Sequence, residues 1–173
     1  MSGSRRILVM GVSGSGKTHV GRLLAKRLGI DFIDGDSHHA PASIDKMARG
    51  IPLTDADRLG WLEILAGLFA HYRQRDVSVV IGCSALKRHY REILRRGDPA
   101  LAILYLQGSR EQLRERLANR EGHFFKGDAM LDSQLADLEP PAPHEAMALD
   151  IAMPPEALVE AFLQREASLQ RKG

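Results

Sequence analysis

Residues Gly11 to Thr18 read GVSGSGKT, a complete G-x-x-x-x-G-K-T that follows the apolar run Ile7 to Met10 and precedes an amphipathic pattern of Val20, Leu23, Leu24 and Leu28. A strand has to deliver the chain into this turn and a helix has to carry it away, so the motif commits the N-terminal part to a strand-turn-helix unit. The glycines let the backbone N–H groups of Gly11, Val12, Ser13, Gly14, Ser15 and Gly16 converge on phosphate oxygens, and the helix N-terminus adds positive potential. Lys17 is placed to reach the β and γ phosphates of a nucleoside triphosphate, and Thr18 to offer its hydroxyl to Mg²⁺.

Four more short apolar segments follow, at Phe32 and Ile33, Val77 to Ile81, Leu101 to Leu106 and Ala148 to Ile151, with helical patterns between them such as Trp61, Leu62, Leu65, Phe69 and Tyr72. Continuous apolar strands suit a parallel sheet covered on both faces, and their alternation with helices predicts a three-layer α/β/α fold with a five-stranded parallel sheet. Thr54 with Asp57, and Ser109 with Gln112, have capping-box spacing at two helix starts. The pattern from Pro154 to Leu169 reads as a last helix with proline in its first turn. The 173 residues fit a single domain, 1–173. Residues 119–147 break the rhythm with glycines, charges and prolines, and so long a connection is expected to form a mobile lid over roughly 119–138.

Lys and Arg total 24 against 22 acidic residues, a net charge of +2, which gives no reason to expect a nucleic-acid partner. No apolar stretch approaches the ~18 residues that a membrane span needs, and MSGSRR ahead of the first strand has no signal-peptide-like apolar region, so neither secretion nor membrane insertion is expected. The single cysteine, Cys83, forms no intramolecular disulfide and no thiolate metal site, so a cytoplasmic location is expected.

The loop identifies a nucleoside triphosphate but not a reaction. A guanine-reading N-K-x-D is absent, DRLG at Asp57 to Gly60 sits in a helical pattern, and no L-S-G-G-Q-like signature of a transporter ATPase occurs. A small kinase remains, with its acceptor held at the carboxyl edge of the sheet. Asp34 and Asp36 follow the second strand in FIDGDSHH, and period-two alternation points both the same way, one toward Mg²⁺ and one toward an attacking hydroxyl. The competing reading is that both only cap a turn. His38 and His39 are adjacent and diverge, and nothing completes a tetrahedral metal set around them.

Beyond the phosphate loop, DGDSHH, KMARGIPLTDADRLGWL, CSALKRHYR, REGHFF and LDSQLADLEPP occur in that order, and together they resemble the gluconate kinase family, small P-loop kinases related in fold to shikimate and nucleoside monophosphate kinases. The resemblance implies ATP- and Mg²⁺-dependent phosphorylation of D-gluconate at its 6-hydroxyl, by a cytoplasmic homodimer. It implies that Asp34 holds the magnesium water shell with Thr18, that Asp36 orients or deprotonates the hydroxyl, and that His39 touches substrate. Arg58, Lys87 and nearby Arg91 would neutralise the substrate carboxylate, as a forked guanidinium and an ammonium do well. Arg116 and Arg120 share a helix face and would approach the ATP phosphates, with His123 and Lys126 on the lid and His123 touching substrate. Lys17, Asp36 and Arg120 are then the catalytic candidates. The chain departs from the family pattern at Ala40, Ser43 and Gly60, on the substrate side. A kinase for another small sugar acid or hydroxy acid, and a non-catalytic ATP-binding regulator, are the alternatives.

Overall fold

The computed structural model describes residues 3–39, 41–121 and 128–172. Five strands, β1 (Arg6–Met10), β2 (Asp31–Asp34), β3 (Val79–Gly82), β4 (Ala102–Gln107) and β5 (Met147–Asp150), form one sheet in the order β2-β3-β1-β4-β5, with every neighbouring pair parallel. The helices are α1 (Lys17–Leu28), α2 (Pro41–Ala48), α3 (Asp55–Gln74), α4 (Arg88–Arg95), α5 (Arg110–Glu121), α6 (Asp128–Asp137) and α7 (Pro155–Lys172).

The central strand explains the layering. Ile7 and Val9 of β1 pack with residues of α1, α5, α6 and α7, whereas Leu8 and Met10 pack with residues of α3 and α4. Successive side chains of a strand alternate between faces, so an unbroken apolar run requires a helical layer on each side. Both layers are present, as the five apolar runs predict.

The helix starts follow their local chemistry. The Thr54 side chain accepts from the Asp57 amide while Asp57 accepts from the Thr54 amide, a full capping box at the head of α3. Ser109 and Gln112 exchange the same two bonds at the head of α5. At the other end of α1, Gly29 adopts φ 67, and its amide bonds back to the last turn.

Two elements depart from expectation. The segment after His39 winds into α2, and α6 lies inside the stretch assigned to a lid. Residues 122–127 lie outside the described residues, and with them His123 and Lys126. No helix among the described residues is long and apolar enough to cross a membrane. The order of the strands puts the ends of β1, β2 and β3 side by side, and the chain turns there into three consecutive loops that build the site.

Candidate active site

The phosphate loop leaves β1 beneath α5. Gly14 has φ +86, and a Cβ there would come within 2.9 Å of Leu117 Cγ, so only glycine fits between loop and helix. A Cβ on Gly16 would lie 3.6 Å from a terminal nitrogen of Arg116, which places that guanidinium at the rim of the loop. Arg116 also donates to the backbone carbonyl of Ile151. Ser15 is buried, and its Oγ has no hydrogen-bond partner among the described residues. Lys17 Nζ donates to Val12 O at 3.3 Å. Burial pushes the pKa of Lys17 down and Arg120 pushes the same way, while Asp36 and Asp34 oppose them. Lysine, both aspartates and Arg120 therefore share one electrostatic field.

The aspartates are not equivalent. Asp34 ends β2, and its Oδ1 accepts from the Asp36 amide at 3.0 Å, capping the 3₁₀ turn Gly35–His38. The turn reading thus holds for Asp34. Asp36 lies inside that turn rather than on the strand, so strand alternation is not what brings the two carboxylates together; the tight turn does. Asp36 keeps an exposed side chain, yet the protein packed around it displaces part of its hydration and raises its pKa, and the neighbouring Asp34 raises it too, against Lys17, His39 and the Ser84 amide. Among the described residues no group of three His, Cys, Asp or Glu side chains forms a metal cluster. Thr18, next to Lys17, and Asp34, whose charge reaches Lys17, are hard oxygen donors, a set suited to Mg²⁺ bound largely through water.

His39 stacks on Trp61, ring centroids 4.1 Å apart, and its Nδ1 is buried without a partner. Its pKa is lowered by burial and by Arg58, and Asp36 opposes them. Trp61 in turn donates to Gly35 O at 2.7 Å, locking the aspartate turn to α3. His38 is turned inward to Asp34 O at 3.0 Å instead of pointing into solvent.

The third wall centres on Tyr90. Arg58 donates to Tyr90 Oη at 3.0 Å, Lys87 Nζ lies 5.7 Å from the centre of the same ring, and Asp55 accepts from both Tyr90 and Lys87. These bonds lower the pKa of Asp55 and raise that of Lys87. Arg58 and Lys87 thus flank one phenol ring, each with an acidic neighbour, Asp137 and Asp55, and both are donors of the kind that pair with carboxylates. Tyr90, Asp55 and Trp61 escaped the sequence reading of the site, because each fits a helix cap or a core position equally well.

Arg91 requires a correction. It is 1% exposed, donating to Ala85 O, Leu86 O and Glu139 O and pairing with Glu145, so its guanidinium faces no ligand. The loop it grips holds Ala85 at φ 46, a left-handed conformation that costs a non-glycine residue about 1–3 kcal/mol. Arg91 therefore supports the loop that carries Lys87 and does not touch substrate. Arg120 is exposed on α5, one turn beyond Arg116.

A family model described as an AAA domain matches residues 7–141. The thermoresistant gluconokinase of Escherichia coli is 43% identical over 160 residues, covering 91% of this chain and 90% of that protein. The gluconokinase of Gluconobacter oxydans is 46% identical over 141 residues, covering 82% of this chain and 79% of that protein. The crystal structure of a gluconokinase from Sinorhizobium meliloti superposes with a TM-score of 0.88 at 42% identity, covering 99% of this chain and 98% of that one. The chain belongs to the gluconokinase family.

Within the gluconokinase fold, the departures on the substrate side separate. Ser43 is 4% exposed inside α2, a packing position. Gly60 has nothing within 4 Å of where a Cβ would stand, so a side chain there would meet open space. Ala40 lies outside the described residues.

Proposed function

We propose that this gluconokinase transfers the γ-phosphoryl group of ATP to the 6-hydroxyl of D-gluconate, giving 6-phosphogluconate and ADP, with the roles set out below. The observation that supports the reading is His39, which feels the charges of both Asp36 and Arg58 and so links the Lys17–Asp36 field to the Arg58, Lys87 and Tyr90 group.

The loop Gly11, Val12, Ser13, Gly14, Ser15, Gly16, with Lys17 and Thr18, cradles the nucleotide phosphates, although the amides of Gly11, Ser13 and Ser15 are bound instead to Ser84 O, Gln134 Oε1 and Val12 O, and Arg116 and Arg120 add positive charge from α5. Thr18 and Asp34 would hold Mg²⁺ through its water shell, and the ion supplies further charge neutralisation to the phosphates. Asp36 accepts a hydrogen bond from the 6-hydroxyl and takes its proton as that oxygen bonds to the γ-phosphorus, while the bond from phosphorus to the bridging oxygen breaks. A carboxyl whose pKa is raised is a better proton acceptor than an ordinary aspartate. The unpartnered Nδ1 of His39 is free to bond a sugar hydroxyl, and Arg58 and Lys87 pair with the sugar-acid carboxylate. The family resemblance also supports a cytoplasmic homodimer, for which sedimentation is the check.

Coupled ADP release measured over gluconate, related aldonates, shikimate and nucleoside monophosphates tests the reading. Gluconate should give the highest kcat/KM. Turnover on none of them, or preference for shikimate or a nucleotide, overturns it.

A further inference from the structure

The segment LDSQLADLEPP resembles its family without having any task in the reaction above, and it forms α6 and the residues after it. Its inward side is fixed by Leu131, fully buried in the cluster with Leu113 and Leu117 of α5. From that base it makes three separate polar attachments. Gln134 accepts from the Ser13 amide at 2.7 Å and donates to Ser13 Oγ at 3.1 Å, a two-pronged grip on the phosphate loop. One turn on, Asp137 lies 3.9 Å from Arg58 and adds its charge to the field at Lys87. Just past the helix, the Glu139 amide donates to Leu86 O at 2.8 Å, its carboxylate accepts from the Arg88 amide at 3.0 Å, and its carbonyl accepts from Arg91 at 2.8 Å.

We propose that Gln134 is a positioning residue for phosphotransfer, and that by gripping Ser13 it makes α6 a tie between the phosphate loop and the carboxylate receptor, so that nucleotide and sugar acid bind with positive coupling. The sugar-acid half of this rests on the gluconokinase reading. The physical basis is shared ordering. Phosphates bound in the loop fix Ser13, Ser13 fixes Gln134, and Asp137 and Glu139 then hold Arg58 and the Lys87 loop. The second ligand meets a receptor whose ordering cost has already been met, and by linkage the effect is the same in either order. No atom of Gln134 needs to touch either ligand, which separates this role from that of Lys17 or Asp36.

Calorimetry of gluconate binding, with and without a non-hydrolysable ATP analogue and Mg²⁺, measures the coupling directly. In the wild type the analogue should tighten gluconate about five-fold or more. Gln134→Met keeps the side-chain volume and loses the amide. It should bring the coupling factor close to one, leave gluconate affinity without nucleotide unchanged, and lower kcat by about 10- to 100-fold through misplacement of the phosphate loop. Asp137→Asn cuts the tie at its other end and should also reduce the coupling, which settles the matter should the first variant fold poorly. Amide exchange over residues 84–88, with the analogue alone, needs no sugar acid: slowed exchange in the wild type and its absence in Gln134→Met is the expected pair. Coupling near one in the wild type, or wild-type coupling in both variants, overturns the proposal. Failure of gluconate to bind at all overturns the substrate assignment instead and leaves the exchange result to decide the tie.

Discussion

The proposed mechanism concentrates the proton transfer in one carboxyl, that of Asp36. Its pKa is raised by lost hydration and by Asp34, so the acid limb of a kcat/KM profile should lie above the range of an ordinary aspartate. Asp36→Asn should retain nucleotide binding, lose about 10²- to 10⁴-fold in kcat, and flatten that acid limb. Near-normal turnover would remove Asp36 from its assigned role. The sequence made the two aspartates legible, because a strand end beside a phosphate loop leaves little choice of neighbours, but it misjudged how they meet. A 3₁₀ turn brings Asp36 to Lys17, and turn geometry is poorly encoded in a run such as GDSH. Arg91 was illegible for a different reason. Its partners include Glu139, 48 residues away, and in sequence a guanidinium buried among carbonyls looks the same as one waiting for a ligand.

At the scale of elements, α3 joins the two halves of the acceptor site, since it carries both Arg58 and Trp61. Its start depends on the Thr54–Asp57 box, where the Thr54 amide, with Lys46, pulls the Asp57 carboxyl down to about 2. Thr54→Ala should cost about 0.5–2 kcal/mol in urea unfolding. It should also raise the KM for gluconate more than that for ATP, because the first turn of α3 presents Arg58. A uniform loss on both substrates would argue against that division. The five strands and the long helices were legible from periodicity, with strand ends shifted by one or two residues and the last helix running three residues past Leu169. Helices α2 and α6 were not, for opposite reasons. α2 spans only 8 residues and begins at a proline after a polar turn, and α6 lies in a stretch whose glycines and prolines suggest a loop.

Across the whole molecule, Glu145 ties the approach to β5 onto α4, pairing with Arg91 and with Arg95 at 3.0 Å. Burial alone would raise the pKa of Glu145, but the bonds and charges of Arg91 and Arg95 outweigh it and the net direction is down. A carboxyl depressed in the folded state contributes stability that is complete above its unfolded pKa of about 4.3 and is lost as pH falls below that value. The stability gap between wild type and Glu145→Gln should therefore be full at neutral pH and close in acid. A gap that widened on acidification would reverse the sign assigned here.

Asp55 has a consequence for binding. The Lys87 ammonium already holds a carboxylate, so in the proposed role an arriving sugar acid would exchange one anion for another instead of meeting a bare cation. The affinity gained there would be the difference between two pairings. On that reading Asp55, once displaced, would stay tethered at the start of α3 beside Lys87 and compete with the sugar-acid carboxylate for it before and after transfer alike.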